Sequence, residues 1–321
     1  MSELAWRPVT PGDAAGVREL FLVVARTAPI GLETELAEVG GRLSSPRLDP
    51  QQDTLIGTDS SGRVVAYAEC ADMGVGNGRL RIRLTNVVHP EAGQHVNRRT
   101  HQWLLDRARQ LHRQCRPDLP GVMGARCAAT DDARLSVLTE TGFEIAGWHR
   151  DLVRPTERSI PPAPAPEGVM ITPFHPRYDQ AAWRAHNEAH ADMPGALLPD
   201  AENWPLHATG LPTFLPAASF LAFAGDPAGH DIAAFLFSLA QRDITGVREA
   251  ALTCMGTRPQ WRRRGLASAL LTHSLAAYRD AGLGQVRLQV NGGNTAAVNL
   301  YDRYGFADSG RGYASLHLPF S

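Results

Sequence analysis

Residues 248–306 read REAALTCMGTRPQWRRRGLASALLTHSLAAYRDAGLGQVRLQVNGGNTAAVNLYDRYGF, and this stretch decides the fold. Arg248 to Thr257 alternates as a strand. A basic turn follows, Thr257-Arg258-Pro259-Gln260-Trp261-Arg262-Arg263-Arg264-Gly265-Leu266-Ala267. Leu266, Ala269, Leu270, His273 and Ala277 then share one face of a helix, so that helix packs on a sheet. Val286 to Val290 is a second strand. Asn291-Gly292-Gly293-Asn294 turns the chain into a helix that carries Tyr301 and ends before Gly305-Phe306. At the basic turn, small Gly265 and Ala267 let a ligand approach the backbone, and Gly265 can take conformations closed to other residues. Unpaired N–H groups and the dipole at that helix end favour a phosphate. Arg262, Arg263 and Arg264 add charge there, although a triple arginine alone is usually a solvated surface run.

Working outward, Arg154 to Pro166 holds five prolines, which forbid a helix and favour an extended spacer. The boundary this implies gives domains 1–154 and 168–321 with a linker at 155–167. The first half predicts a strand at Leu4–Val9, a helix at Ala14–Arg26 and a second helix at Glu33–Arg42. Strands follow at Thr54–Gly57, Val64–Glu69 and Arg79–Val88, then a helix at Val96–Gln114 and a strand at Val122–Ala128. A short helix at Asp131–Glu140 and Gly142-Phe143 complete it. The second half repeats the programme: Val169–Thr172, a helix at Tyr178–His190, strands at Ser219–Ala224 and Ile232–Gln241, the opening stretch, and a closing strand at Tyr313–Leu318. The period is roughly 160 residues.

Composition sets bounds. The 321 residues are 43% apolar and 20% charged with a net charge of −1, which argues for globular cores and against a general nucleic-acid binder. Every side-chain cation other than histidine is arginine, so no lysine can serve as base or Schiff-base former. The four cysteines, Cys70, Cys115, Cys127 and Cys254, show neither CxxC pairing nor zinc spacing. The amino terminus is not a charged-then-apolar signal. The longest apolar run, near Ile232–Ala240, falls well short of the ~18 residues of a membrane helix. A soluble, cytoplasmic protein with no membrane partner is expected.

Arg262-x-x-Gly265-x-Ala267 after a strand resembles the acyl-CoA motif of the GNAT N-acetyltransferase superfamily. Asn294-x-x-Ala297-x-x-Leu300-Tyr301-x-x-x-Gly305-Phe306 is similar to its second signature. The two stand at family-like spacing, and the likeness is sharpest over about Ala250–Phe306. The strand–helix order extends it to both halves, organised like the tandem mycothiol synthase type with one working and one decayed copy. The resemblance implies an α+β fold of two tandem domains, each a mixed, mostly antiparallel sheet flanked by helices. It implies an acyl-CoA-dependent N-acyltransferase, most simply with acetyl-CoA, acting on a small-molecule amine by direct attack. A non-catalytic acyl-CoA sensor, or hydrolysis or decarboxylation on the same fold, are the alternatives. Monomer and homodimer stay open.

By the same resemblance, the cofactor-binding set is Met255, Gly256, Thr257, Arg262, Arg263, Arg264, Gly265, Leu266, Ala267, Asn294, Asn299 and Tyr301. The backbone at Arg263–Ala267 takes the pyrophosphate, Met255–Thr257 pairs with pantetheine as an added strand does, and Asn294 fixes the cofactor or strand end. Tyr301 protonates the departing thiolate; a phenol of pKa about 10 remains protonated at neutral pH. Tyr304 is the competing tyrosine. Where histone-type members place a glutamate base this chain has Ala251, so Glu249, one same-face step earlier, is the candidate base. His186, Glu188, His190 and Asp192 are alternatives. His186 and His190 can share a helix face, but with no His-Glu-x-x-His core no metal is expected, and Cys254 reads as core. In the first copy Leu138 stands at the Tyr301 position, Asp131 at that of Asn294 and Val96 at that of Gly265. This copy is expected to be an inactive scaffold.

Overall fold

The computed structural model describes residues 4–29, 43, 47–192, 198–202, 204–207, 209–243 and 246–321. The helix expected at Glu33–Arg42 lies outside them. The chain forms two compact units, one of Met1–Arg150 with Gly310–Ser321 and one of Asp151–Ser309.

The first unit builds its sheet from β1 (Ala5–Arg7), β2 (Thr54–Thr58), β3 (Val64–Gly76), β4 (Arg79–Val88) and β5 (Gly121–Ala128), with β12 (Ala307–Phe320) next to β5 and the start of β6 (Glu144–Pro155) next to β12. From β1 through β5 to β12 the neighbours are antiparallel apart from β4 with β5. That parallel step needs a crossover, and α2 (Gln94–Cys115) supplies it. Leu104, Leu105, Ala108 and Leu111 of α2 enter one core with Leu80, Ile82, Met123 and Ala125 of the sheet. Helices α1 (Ala14–Val24) and α3 (Asp132–Glu140) also belong to this unit.

The second unit orders its strands as the end of β6, β11 (Gln285–Asn291), β10 (Arg248–Thr257), β9 (Ile232–Arg242), β8 (Phe220–Ala224) and β7 (Val169–Pro173). Here β10 and β11 are the parallel pair, and the rest of the pairs recorded from β7 to β10 are antiparallel. The crossover is α5 (Leu266–Asp280), whose Leu266, Leu270, Leu271 and Leu275 bury against Val286, Leu288 and Val290. On the other face α4 (Asp179–His190) sets Ala182, Ala185 and Ala189 against Leu221, Phe223, Phe235 and Phe237. Small alanines let helix and aromatic strands close together. Helix α6 (Thr295–Arg303) follows β11.

One expectation needs correcting. The simple repeat places the closing strand in the second domain. Instead Tyr313 to Phe320 pairs with Ala128 to Gly121, and Ala314 and Leu316 enter the core of the first unit. Strand β6 likewise changes unit within its length, since Leu152 lies in the core of the second. An alternating strand records which face is buried and not which strand lies beside it. The proline-rich segment is also no loose spacer at its start. Buried Arg154 donates to the carbonyls of Tyr304, Arg158 and Ser159, and Arg158 donates to that of Gly305.

Candidate functional site

Strand β10 carries a bulge between Leu252 and Cys254, so its outer half is re-aimed. Pairing with β11 runs from Glu249–Gln285 to Leu252–Leu288 and ends there, while pairing with β9 continues to Thr257. Beyond Leu252 one edge of Met255, Gly256 and Thr257 therefore has no β11 partner, and Thr253 at the bulge is exposed. Such an edge can accept an extended ligand by backbone hydrogen bonds.

The chain leaves β10 through a short turn at Pro259–Trp261 and enters α5 at Gly265. Gly265 has φ +81° and Arg263 φ +61°, both left-handed. Alternating left- and right-handed residues turn successive N–H groups toward one point and make a concavity for an anion. A Cβ built on Gly265 meets nothing within 4 Å. The space over this turn is open, and the constraint on Gly265 is its dihedral. Arg263, Arg264 and Gly265 are exposed and Leu266 is buried.

The arginines divide their labour. Arg262 makes a two-pronged ion pair with Asp192, at 2.5 and 2.9 Å, and donates to the carbonyls of Ala189 and Thr257. Arg258 pairs with Glu188 at 2.7 Å and Asp231 at 2.5 Å. Arg264 lies over the Trp261 ring at 4.6 Å. Side chains of Arg258 and Arg262 thus lock the turn to α4, and what is offered outward is backbone together with the exposed Arg263 and Arg264. Glu188 and Asp192, weighed as bases, are the acids of these locks.

Two tyrosines follow on α6 and its end. The Tyr304 hydroxyl donates to the Ser268 carbonyl at 2.8 Å and sits 2.8 Å from Thr272 Oγ1, so it ties α5 in place. The Tyr301 hydroxyl has no hydrogen bond to any described residue, although the side chain is only 6% exposed. Burial raises its pKa well above the usual phenol value, and the charges of Cys254 and Tyr278 push the same way. Tyr301 is therefore held as a protonated donor, in the core cluster against which Met255 packs. Asn294 accepts from the Ala297 N–H at 3.1 Å and caps α6, and Asn299 is exposed. Gly256 serves packing: a Cβ there would meet the Phe235 ring at 2.5 Å.

Glu249 does not join this group. It is fully buried, and its carboxylate accepts from Gln241 Nε2 at 2.6 Å, Gln285 Nε2 at 2.6 Å and Arg287 Nε at 3.0 Å. Arg287 also bonds Asp151. Six residues of strand, about 20 Å, separate Glu249 from Met255. Its surroundings make it the centre of a buried charge network at the far end of β10.

Sequence reasoning missed a different cluster. His186 and His190 of α4 face Cys254 of β10, and one ligand-type atom from each lies within 4.8 Å of the other two. Burial pushes the Cys254 thiol up to about 12 and the His190 imidazole below its ordinary value. The i, i+4 histidine spacing was visible; the strand residue opposite it was not.

Among the described residues of the first unit, the positions matched to Gly265, Tyr301 and Asn294 differ. Gly93, which caps α2, has φ −60°, Val96 is buried, and Leu138 is a core residue. Asp131 keeps only the capping job, accepting from the Arg134 N–H at 3.0 Å.

The model of the Acetyltransferase (GNAT) family matches residues 182–306. The chain is similar to a mycothiol acetyltransferase of Salinispora arenicola, 35% identical over 204 residues, spanning 62% of this chain and 64% of that protein. It is 33% identical over 311 residues to a mycothiol acetyltransferase of Geodermatophilus obscurus, spanning 94% of each. Among solved structures it resembles a GCN5-related N-acetyltransferase from Sphaerobacter thermophilus, with a TM-score of 0.77 at 20% identity over 99% of this chain and 96% of that one. It also resembles a tandem GNAT protein from the clavulanic acid biosynthesis pathway, with a TM-score of 0.66 at 15% identity over 99% and 98%. The chain belongs to the GNAT acetyltransferase family.

Proposed function

We propose that this protein moves an acetyl group from acetyl-CoA to the amine of a small molecule, by direct attack while both are bound. The observation that carries the reading is the Tyr301 hydroxyl, buried yet without an intramolecular partner among the described residues, in the core cluster against which Met255 of the unpaired strand edge packs. In this reading the N–H groups of Arg263 to Ala267 hold the pyrophosphate and Met255 to Thr257 pair with the pantetheine arm. The amine attacks the thioester carbonyl, the C–S bond breaks, and Tyr301 delivers its proton to the sulfur. The burial that raises the phenol pKa raises that of the leaving thiol as well, so the two stay matched for transfer. No carboxylate stands at Ala251, and Glu249 is held in its network, so the amine sheds its proton to water before attack. The relatives' name directs the acceptor search to small thiols of the mycothiol kind and their amine precursors. The first unit acts as scaffold without binding acyl-CoA, and the protein works in the cytoplasm as a monomer or homodimer. No helix among the described residues is long and apolar enough to cross a membrane.

The test is CoA release from acetyl-CoA across a panel of amines, amino sugars and thiol precursors. Amine-dependent release and an N-acetyl product are expected. Release without any amine would instead mark a hydrolase. With the best acceptor, Tyr301→Phe should lower kcat by roughly 10²–10⁴-fold with acetyl-CoA affinity kept, and undiminished turnover would remove the tyrosine from the chemistry.

A further inference from the structure

His186, His190 and Cys254 have no part in the proton transfers above. Among the described residues they are the one group of three metal-ligating side chains brought this close. Tetrahedral zinc, with Zn–N of about 2.0–2.1 Å and Zn–S of about 2.3 Å, sets its ligand atoms roughly 3.3–3.6 Å apart. The separations here are at most 4.8 Å. Rotation of side chains on a helix and a strand that already face each other covers the remaining ångström or so.

The surroundings match what holds a ligating imidazole. The ring nitrogen Nδ1 of His190 lies 2.8 Å from the His186 carbonyl, which can only accept, so Nδ1 carries the proton and Nε2 the lone pair. Asn187 Nδ2 donates to the Pro199 carbonyl, which fixes its amide and turns Oδ1 to the Nδ1 of His186 at 2.9 Å. Both rings are thereby set in the tautomer whose Nε2 can bind a cation. Phe235 packs on both rings and Trp204 on that of His186, an apolar shell that strengthens ligand–cation attraction. The helix bearing the histidines is anchored where Arg262 holds Ala189 and Asp192.

We propose that His186, His190 and Cys254 bind one divalent ion of the zinc class, with a fourth position open to water or a small ligand. Two imidazoles and a thiolate select zinc over magnesium, calcium or manganese, which prefer oxygen. Binding requires the Cys254 proton to leave to solvent as the S–metal bond forms.

The experiment titrates chelator-treated full-length protein with Co²⁺, which takes zinc's place and reports a bound thiolate by a sulfur-to-cobalt charge-transfer band in the near ultraviolet. One equivalent per chain is expected, with Zn²⁺ abolishing the band. Cys254→Ser should lose the band while still folding, and His190→Gln should weaken binding by roughly tenfold or more. Cys115→Ser, at the exposed cysteine, should change nothing. Absence of a saturable band in the unaltered protein overturns the proposal, as does a band that survives Cys254→Ser. The readout is blind to acyl transfer, so it stands or falls apart from the reaction proposed above.

Discussion

Two tyrosines three positions apart have opposite fates. Tyr304 spends its hydroxyl on α5, while Tyr301 keeps its own uncommitted. Their positions were legible because the motif register distinguishes them. Which hydroxyl was already engaged was not, since Ser268 and Thr272 sit far off in sequence. Because burial raises the Tyr301 pKa, the proton is held far into alkali. A pH–rate profile for acetyl transfer should therefore show no falling limb from this group below about pH 10. A limb near neutrality that disappears in Tyr301→Phe would contradict the burial. At Gly265 the left-handed dihedral is the constraint. Gly265→Ala should cost ~1–2 kcal/mol of stability and weaken acetyl-CoA, the first read by urea denaturation and the second by calorimetry.

At the scale of elements, β10 does two jobs at its two ends. Its outer end parts from β11 at Leu252, and its inner end anchors the sheet through Glu249. A same-face step of two residues along the strand suggested Glu249 as a base because periodicity assigns a face and is silent on partners. Those partners, Gln241, Gln285 and Arg287, come from the strands on either side, and no local pattern announces them. Removing one member of a buried ion network leaves the others unpaired. Glu249→Ala should accordingly destabilise the protein by roughly 3–5 kcal/mol, measured by denaturant unfolding, while kcat per folded molecule stays near that of the parent. Strands and helices themselves were largely legible, because each half repeats clear alternation and helical faces. Arg79–Val88, for instance, is β4 at both ends. The locks Arg258–Glu188 and Arg262–Asp192 were not, since exposed acids and arginines pair by geometry alone.

For the whole molecule, the boundary matters more than the linker that suggested it. Proline content marked where the chain is extended, yet compactness divides it at Arg150/Asp151 and Ser309/Gly310. A piece cut at 168–321 would lack the end of β6, including core Leu152, and would carry the apolar strand Tyr313–Phe320 without β5. The piece 151–309 keeps its own core. Expressed separately, 151–309 should be monodisperse and bind acetyl-CoA, whereas 168–321 should aggregate; size-exclusion chromatography and calorimetry decide between these and the reverse. The same exchange fixes an order of events during synthesis. Strand β5 is made long before Tyr313 to Phe320, the segment that covers its edge, so the first unit cannot close its sheet until after the whole second unit has been translated. Until then the open edge of β5 is a nascent-chain hazard, and the length of the delay is set by the translation of every codon in between.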